Sequence, residues 1–195
     1  MKELLTSIEN INQPIRFAYF DLGGVVFKFS GGLETISSRL GIPLASIESY
    51  WRAQDDQICL GKLTPQDFWV NLVSHFGRGE KDMNFLEMWI DHFEAISETH
   101  GAMEELQSNG VQIGLLTNIY PSVLEKAIEK GYIPQLPYHS VIQSCEVGLV
   151  KPDKQIFELA LKPINYLPSE VILIDDREEN IEVARTLGWN VHHFK

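Results

Sequence analysis

The apolar and polar positions of this chain fall into three regimes. Residues 15–20, IRFAYF, place four apolar or aromatic residues in a row after Arg16. Such a run lacks the alternation of a half-solvated strand, so it predicts a strand buried on both faces of a parallel sheet. It ends in Asp21, and Gly23 and Gly24 follow after Leu22. Neither glycine has a Cβ, so the backbone there can turn sharply and approach a ligand. Residues 25–29 predict a short hairpin arm, and Ser30-Gly31-Gly32 a hinge.

From residue 33 to about residue 96 the period is helical. Leu33, Ile36 and Leu40 share a face that stops at Gly41, and Pro43 opens a second helix running towards Cys59. A third helix has Thr64 as its cap, Pro65 at its first position and Asp67 in its first turn. Its apolar face carries Phe68, Leu72, Val73 and Phe76, and Gly77 ends it. A fourth helix has Leu86, Trp89, Ile90 and Phe93 on one side.

From residue 97 onwards helices and strands alternate, the signature of a parallel sheet. The expected order is helix 97–109, strand 111–118, helix 121–130, a weaker strand near 140–144, helix 153–161, strand 171–174, helix 177–187 and a closing strand 189–194. The chain therefore reads as an α/β protein. A Rossmann-like core comprises residues 15–30 and 97–195, a helical cap is inserted at 31–96, and residues 1–14 form a lead-in closed by Pro14.

Composition narrows the chemistry. A formal net charge of −11 argues against a nucleic-acid-binding surface, which needs a basic patch. It also means that an anionic substrate must be met by a local cation or a metal. No apolar run approaches the roughly 20 residues of a membrane span, and the first residues lack the apolar core of a secretory signal. A cytoplasmic protein with no membrane partner is the expectation. Cys59 and Cys145 have no metal-binding spacing and read as reduced, structural thiols. His192 and His193 are adjacent on a predicted strand, so they face opposite ways and share no ligand.

Three apolar strands end in polar residues: Asp21, then Thr117-Asn118, then Asp175-Asp176. Parallel strands bring those ends to one sheet edge, where open α/β sheets bind ligands. Lys151 joins them from the loop Val150-Lys151-Pro152-Asp153, ahead of a helix start that can offer N–H groups to an anion. A carboxylate nucleophile, a hydroxyl and amide, a cation and an acidic pair suit phosphoryl transfer assisted by Mg²⁺, which takes hard oxygen ligands.

The four motifs FDLGGVV, LLTN, VGLVKPD and VILIDDREEN occur in the order of the haloacid dehalogenase superfamily. The chain resembles a member of that superfamily from about residue 15 to 194, with a helical cap after the first strand. The resemblance implies that Asp21 is a nucleophile that becomes transiently phosphorylated. It implies that Thr117 and Asn118 hold phosphate oxygens, that Lys151 neutralises nucleophile and phosphate, and that Asn180 lies near the phosphate. It assigns Mg²⁺ to Asp21, the Gly23 carbonyl and Asp176 directly, and to Asp175 directly or through water. The implied partner is a small phosphorylated metabolite.

One position departs from the pattern. Phosphatases of the superfamily usually carry a second, acid–base aspartate two residues after the first, and Gly23 stands there. Three outcomes are open. One is a phosphatase for a substrate needing less help, such as a sugar 1-phosphate, and here the chain resembles bacterial α-glucose-1-phosphate phosphatases. The second is a protein that binds a phosphorylated ligand or metal but turns over poorly. The third is carbon–halogen hydrolysis, against which the intact Asp175-Asp176 pair speaks, because those dehalogenases work without metal. Asp55 and Asp56 are cap candidates for a replacement acid–base group, and Tyr50, Trp51 and Arg52 for substrate contact.

Overall fold

The computed structural model describes residues 14–195 together with Thr6, Ile8 and Ile11. The lead-in expected at 1–14 therefore lies almost wholly outside the described residues. Strand β1, Phe17–Phe20, is the middle of a five-stranded sheet and all four of its residues are buried. Beside it run β4, Gln112–Thr117, and β6, Val171–Asp175. The edges are β5, Tyr138–Gln143, and β7, Asn190–His193, giving the order β5-β4-β1-β6-β7 with every pair parallel. Register decides where the strand ends lie. Phe20 lies opposite Leu115 on one side and Ile174 on the other, so Asp21, Thr117 and Asp175 leave the sheet at the same edge.

Both faces of the sheet are covered, as continuous apolar strands require. Ala18 and Phe20 of β1 face one cluster, with Ala102, Met103 and Leu106 of α5, Ser97–Ser108, and Leu124 and Ala127 of α6, Val123–Glu129. Phe17 and Tyr19 face the other, formed with Ile156, Phe157 and Ala160 of α8, Lys154–Leu161, and Ile181 and Ala184 of α9, Glu178–Thr186. The buried Tyr19 hydroxyl donates to the Ala160 carbonyl at 2.7 Å and shares a 2.7 Å hydrogen bond with Ser140, so its polar end is satisfied.

Between β1 and α5 stand α1, Gly32–Leu40, α2, Leu44–Cys59, α3, Pro65–Phe76, and α4, Phe85–Ile90. The start of α3 follows the residues: the Thr64 hydroxyl accepts from the Asp67 N–H at 3.1 Å, and Gly77 ends the helix at φ 64°. The arm at 25–29 differs from expectation. Instead of folding on itself, β2, Phe27–Phe29, pairs antiparallel with β3, Phe93–Ala95. The two chain segments entering and leaving the helical insertion thus form one ribbon, and Phe27 stacks on Phe93 with ring centroids 4.5 Å apart. Phe93 belongs to that ribbon and not to the fourth helix, which stops at Ile90. Ser144 likewise leaves the weak strand to begin α7, Ser144–Val147. Among the described residues no helix is long and apolar enough to cross a membrane.

Packing is tight where β4 passes the aromatic rings of β1. A Cβ on Gly114 would lie 2.6 Å from Phe17 Cε1 and 2.7 Å from Tyr19 Cε1. Gly114→Ala is therefore expected to lose about 1–3 kcal/mol of unfolding free energy in a denaturant titration, the usual cost of overpacking. A variant as stable as the parent would contradict this packing.

Candidate active site

Asp21 is the first residue after β1, and its N–H donates to the Ile174 carbonyl at 2.9 Å. Its chain then folds back on itself, with the Leu22 carbonyl accepting from Val25, Val26 and Phe27 N–H groups. Gly24 sits in this turn at φ +81°, and a Cβ on it would lie 2.2 Å from Asp176 Oδ2. Only a residue without a side chain lets the turn come this close to the acidic pair.

Lys151 is buried and its ammonium spans two carboxylates, 3.0 Å from Asp21 Oδ1 and 2.5 Å from Asp175 Oδ2. The other oxygen of Asp175 accepts from the Arg177 N–H and from Asn180 Nδ2, both at 2.9 Å. Asp175 is thus fully buried with both oxygens engaged, whereas Asp176 is exposed. Asn118 fixes the Lys151 loop through two bonds: its Nδ2 donates to the Lys151 carbonyl at 2.9 Å, and its Oδ1 accepts from the Lys151 N–H at 2.8 Å. Thr117 is buried and its hydroxyl has no hydrogen-bond partner among the described residues.

The electrostatics follow from burial. Burial pushes the Asp21 carboxyl up, Lys151 pulls it back and Asp175 adds to the rise, for a balance of about 6. Burial disfavours the Lys151 ammonium, but Asp21 and Asp175 outweigh it and hold its pKa above the ordinary lysine value. Asp176, though exposed as a residue, is also raised, by partial desolvation of its carboxylate and then by Asp175. Carboxylate oxygens of Asp21, Asp175 and Asp176 lie within 4.8 Å of one another. Three carboxylates facing one ammonium leave two negative charges, which one divalent cation neutralises. The donor set is all oxygen, as Mg²⁺ prefers, and the unpartnered Thr117 hydroxyl adds a site for an oxyanion at the same edge.

The cap candidates separate clearly. Tyr50 packs on Phe68, His75 and Phe76 within the cap, the Arg52 side chain is 73% exposed beside Glu48, and Asp56 is exposed. Trp51 and Asp55 instead turn to the core and meet Tyr120. Trp51 Nε1 donates to the Tyr120 hydroxyl at 2.6 Å, which donates to Asp55 Oδ1 at 2.5 Å. Two further residues that the sequence pattern does not mark reach the site. Tyr120 lies three positions beyond Thr117, and that proximity is its one mark in the sequence. Phe29, 54% exposed, packs its ring over Gly23.

The profile of the haloacid dehalogenase-like hydrolases matches residues 15–188. The chain belongs to this family. It is 27% identical over 172 residues to a sesquiterpene phosphatase of Aspergillus oryzae, covering 88% of this chain and 85% of that one. It is 22% identical over 185 residues to D-ribitol-5-phosphate phosphatase of Bacteroides thetaiotaomicron, covering 90% and 89%. A haloacid dehalogenase-like enzyme of B. thetaiotaomicron, solved with magnesium and inorganic phosphate, has the same fold at a TM-score of 0.74. It is 21% identical, with 92% of this chain and 93% of that one aligned. As a hydrolase of this family, the chain has its motif residues gathered at one sheet edge.

Two measurements test these electrostatics. Because Asp21 rises from 3.8 to about 6 on folding, the metal-free folded state holds the proton more tightly than the unfolded one. Stability is then lost as pH rises through that window. Asp21→Asn removes the loss, so its stability relative to the parent grows from pH 4 to pH 7 by about 1–3 kcal/mol in urea titrations with EDTA. A difference independent of pH would contradict the assignment. Separately, saturating Mg²⁺ raises the melting point of the parent, a ligand at 100 times its Kd being worth about 2.7 kcal/mol. Asp176→Asn loses most of that rise, whereas an equal rise in both proteins would place the ion elsewhere.

Proposed function

We propose that this chain is a magnesium-dependent phosphatase that hydrolyses a small phosphorylated metabolite, a sugar or sugar-alcohol phosphate, through a phospho-aspartate on Asp21. The observation that carries this reading is the buried Asp21–Lys151 pair, in reach of two further carboxylates and beside an unpartnered threonine hydroxyl. Asp21 Oδ attacks phosphorus, the ester oxygen leaves, and water then cleaves the acyl phosphate to regenerate the carboxylate. Lys151 neutralises the attacking carboxylate and the phosphoryl oxygens, and Thr117 Oγ1 donates to one of them. Asn118 and Asn180 serve at one remove, because both ends of the Asn118 amide are committed to the Lys151 backbone and the Asn180 Nδ2 donor is committed to Asp175.

Asp21, the Gly23 carbonyl and Asp176 would hold the magnesium ion, with Asp175 behind them because both its oxygens already accept hydrogen bonds. When bound, the ion supplies charge neutralisation at the phosphoryl group. Support for a sugar 1-phosphate comes from Gly23, since the hemiacetal oxygen of such an ester leaves more readily than an ordinary alkoxide, whereas a sugar-alcohol phosphate needs a proton from another residue. The relative that acts on ribitol 5-phosphate is of the same polyol class. A second reading, a phospho-ligand-binding protein with slow turnover, is favoured by one observation. A Cβ at position 23 would lie 3.0 Å from the Phe29 ring, so no acid–base side chain fits there without movement.

Phosphate release decides between them. The panel is sugar 1-phosphates, sugar-alcohol phosphates, an isoprenoid phosphate, nucleotides and acyl phosphates, each with Mg²⁺ and with EDTA. Release that requires the metal and disappears in Asp21→Asn is the expected result, with the sugar or sugar-alcohol phosphates turned over fastest. No release from any member, despite magnesium binding, selects the second reading.

A further inference from the structure

The two-step reaction leaves a proton unplaced. An alkoxide leaving phosphorus needs a proton, and the water that attacks next must lose one. A positioned group that does both is typically worth about 10²–10⁴-fold in rate. The groups at the sheet edge are already committed: Asp21 attacks, Asp176 is given to the magnesium ion, Lys151 spans Asp21 and Asp175, and both Asp175 oxygens accept hydrogen bonds. Position 23 has no side chain, and the Phe29 ring fills the space beside it.

A carboxylate reaches the core from the cap. Trp51, Asp55 and Cys59 stand four residues apart on α2, so they form one stripe along the helix. That stripe is fastened to the core at both ends. At the C-terminal end, Ser144 Oγ donates to the Cys59 carbonyl at 2.6 Å and accepts from the Ile119 N–H at 3.0 Å. At the other end, Trp51 donates to Tyr120. Between them Asp55 is half-buried, with Oδ1 accepting from Tyr120 and Oδ2 without a hydrogen-bond donor among the described residues. Ile119 and Tyr120 directly follow Thr117-Asn118, so the same loop that presents the phosphate-site hydroxyl holds Asp55. The Cys59 thiol, raised chiefly by burial, lies in electrostatic range of both Asp55 and Asp21.

We propose that Asp55 is the acid–base residue of this hydrolase, delivered by the cap in place of a side chain at position 23, with Tyr120 as its positioning residue. The proposal rests on the phosphatase reading. In the first step a P–O bond forms to Asp21 as the ester P–O bond breaks, and the Asp55 carboxylic acid gives its proton to the departing oxygen. In the second, the Asp55 carboxylate takes a proton from water as the water oxygen bonds to phosphorus. The acyl P–O bond then breaks, leaving Asp21 ionised, inorganic phosphate free and Asp55 protonated again. The charge environment suits a proton carrier: burial raises the Asp55 pKa, the Tyr120 hydrogen bond lowers it, Asp56 raises it and Arg177 lowers it, and the net direction is up. Asp56, one residue on, is exposed and turned from the stripe.

Asp55→Asn keeps an acceptor for Tyr120, so it removes the proton and leaves the hydrogen bond. It is compared with the parent on ribitol 5-phosphate, whose alkoxide needs a proton, and on 4-nitrophenyl phosphate, whose phenolate does not. The expected loss on ribitol 5-phosphate is about 10²–10⁴-fold in kcat/KM, and the limb that falls as pH rises through the Asp55 pKa disappears. On 4-nitrophenyl phosphate, Asp55→Asn releases a burst of nitrophenolate close to one per active site and then turns over slowly, because the second step lacks its base. Tyr120→Phe shifts the limb to higher pH without abolishing it, and Asp56→Asn changes rates by less than about threefold. Asp55→Asn rates within about threefold of the parent on both substrates overturn the proposal and leave the phosphatase reading standing. So does an equal loss on both with no burst and an unchanged pH limb, which marks Asp55 as only a fastening of the cap. A parent protein that hydrolyses neither substrate nor any panel member overturns the phosphatase reading, and this proposal with it.

Discussion

The constraint on which this site depends is excess negative charge at the carboxyl edge of the sheet. Asp21 and Asp175 are buried there with Asp176 beside them, and Lys151 is the ammonium placed among them. Burying carboxylates that are not neutralised is costly, and the rise of the Asp21 pKa to about 6 expresses that cost. A fold concerned only with stability would carry apolar residues at these strand ends. The surrounding structure instead preserves the charge. Asn118 clamps the Lys151 backbone, Asn180 and the Arg177 N–H hold Asp175, and Gly24 lets the Asp21 turn approach Asp176.

Sheet topology makes this arrangement possible. Because β1 is central, its end has a strand end on either side, with the hydroxyl of Thr117 on one and the carboxylate of Asp175 on the other. Because the helical insertion leaves directly after that end, its ribbon of β2 and β3 stands over the same edge and brings Phe29 onto Gly23. The C-terminal end of α2 is bonded through Cys59 to Ser144, so the cap has a fixed footing beside the site. Placement of the cap and chemistry at the edge are thus consequences of one chain path.

Much of this architecture was legible in the sequence. The runs FAYF, GLLT and VILID carry consecutive apolar residues, which mark strands buried on both faces, and each gives way to a polar side chain at its end. Gly41 and Gly77 ended helices where their left-handed backbone requires glycine, at φ 61° and 64°. The ribbon was hidden because β2 and β3 are three residues each, and their pairing joins segments separated by the whole cap. Nothing local distinguishes Phe93-Glu94-Ala95 from the end of a helix. The difference between Asp55 and Asp56 was hidden for another reason. A helical pattern gives the faces of α2 but not the phase in which the helix docks, and that phase is set by contacts with Tyr120 and Ser144, far away in sequence. The same phase lays the half-buried Tyr50 against Phe68 of α3 and sends Arg52 to solvent.

The central claim is that the charged edge exists to carry a phosphoryl group on Asp21. Its most direct test is acid quenching of the protein within the first turnover on a substrate, with Mg²⁺, followed by peptic digestion and peptide mass mapping at low pH. The account predicts a phosphoryl group on the peptide containing Asp21, absent with EDTA. Rapid product release with that peptide unmodified throughout, or with the phosphoryl group on another residue, would contradict it.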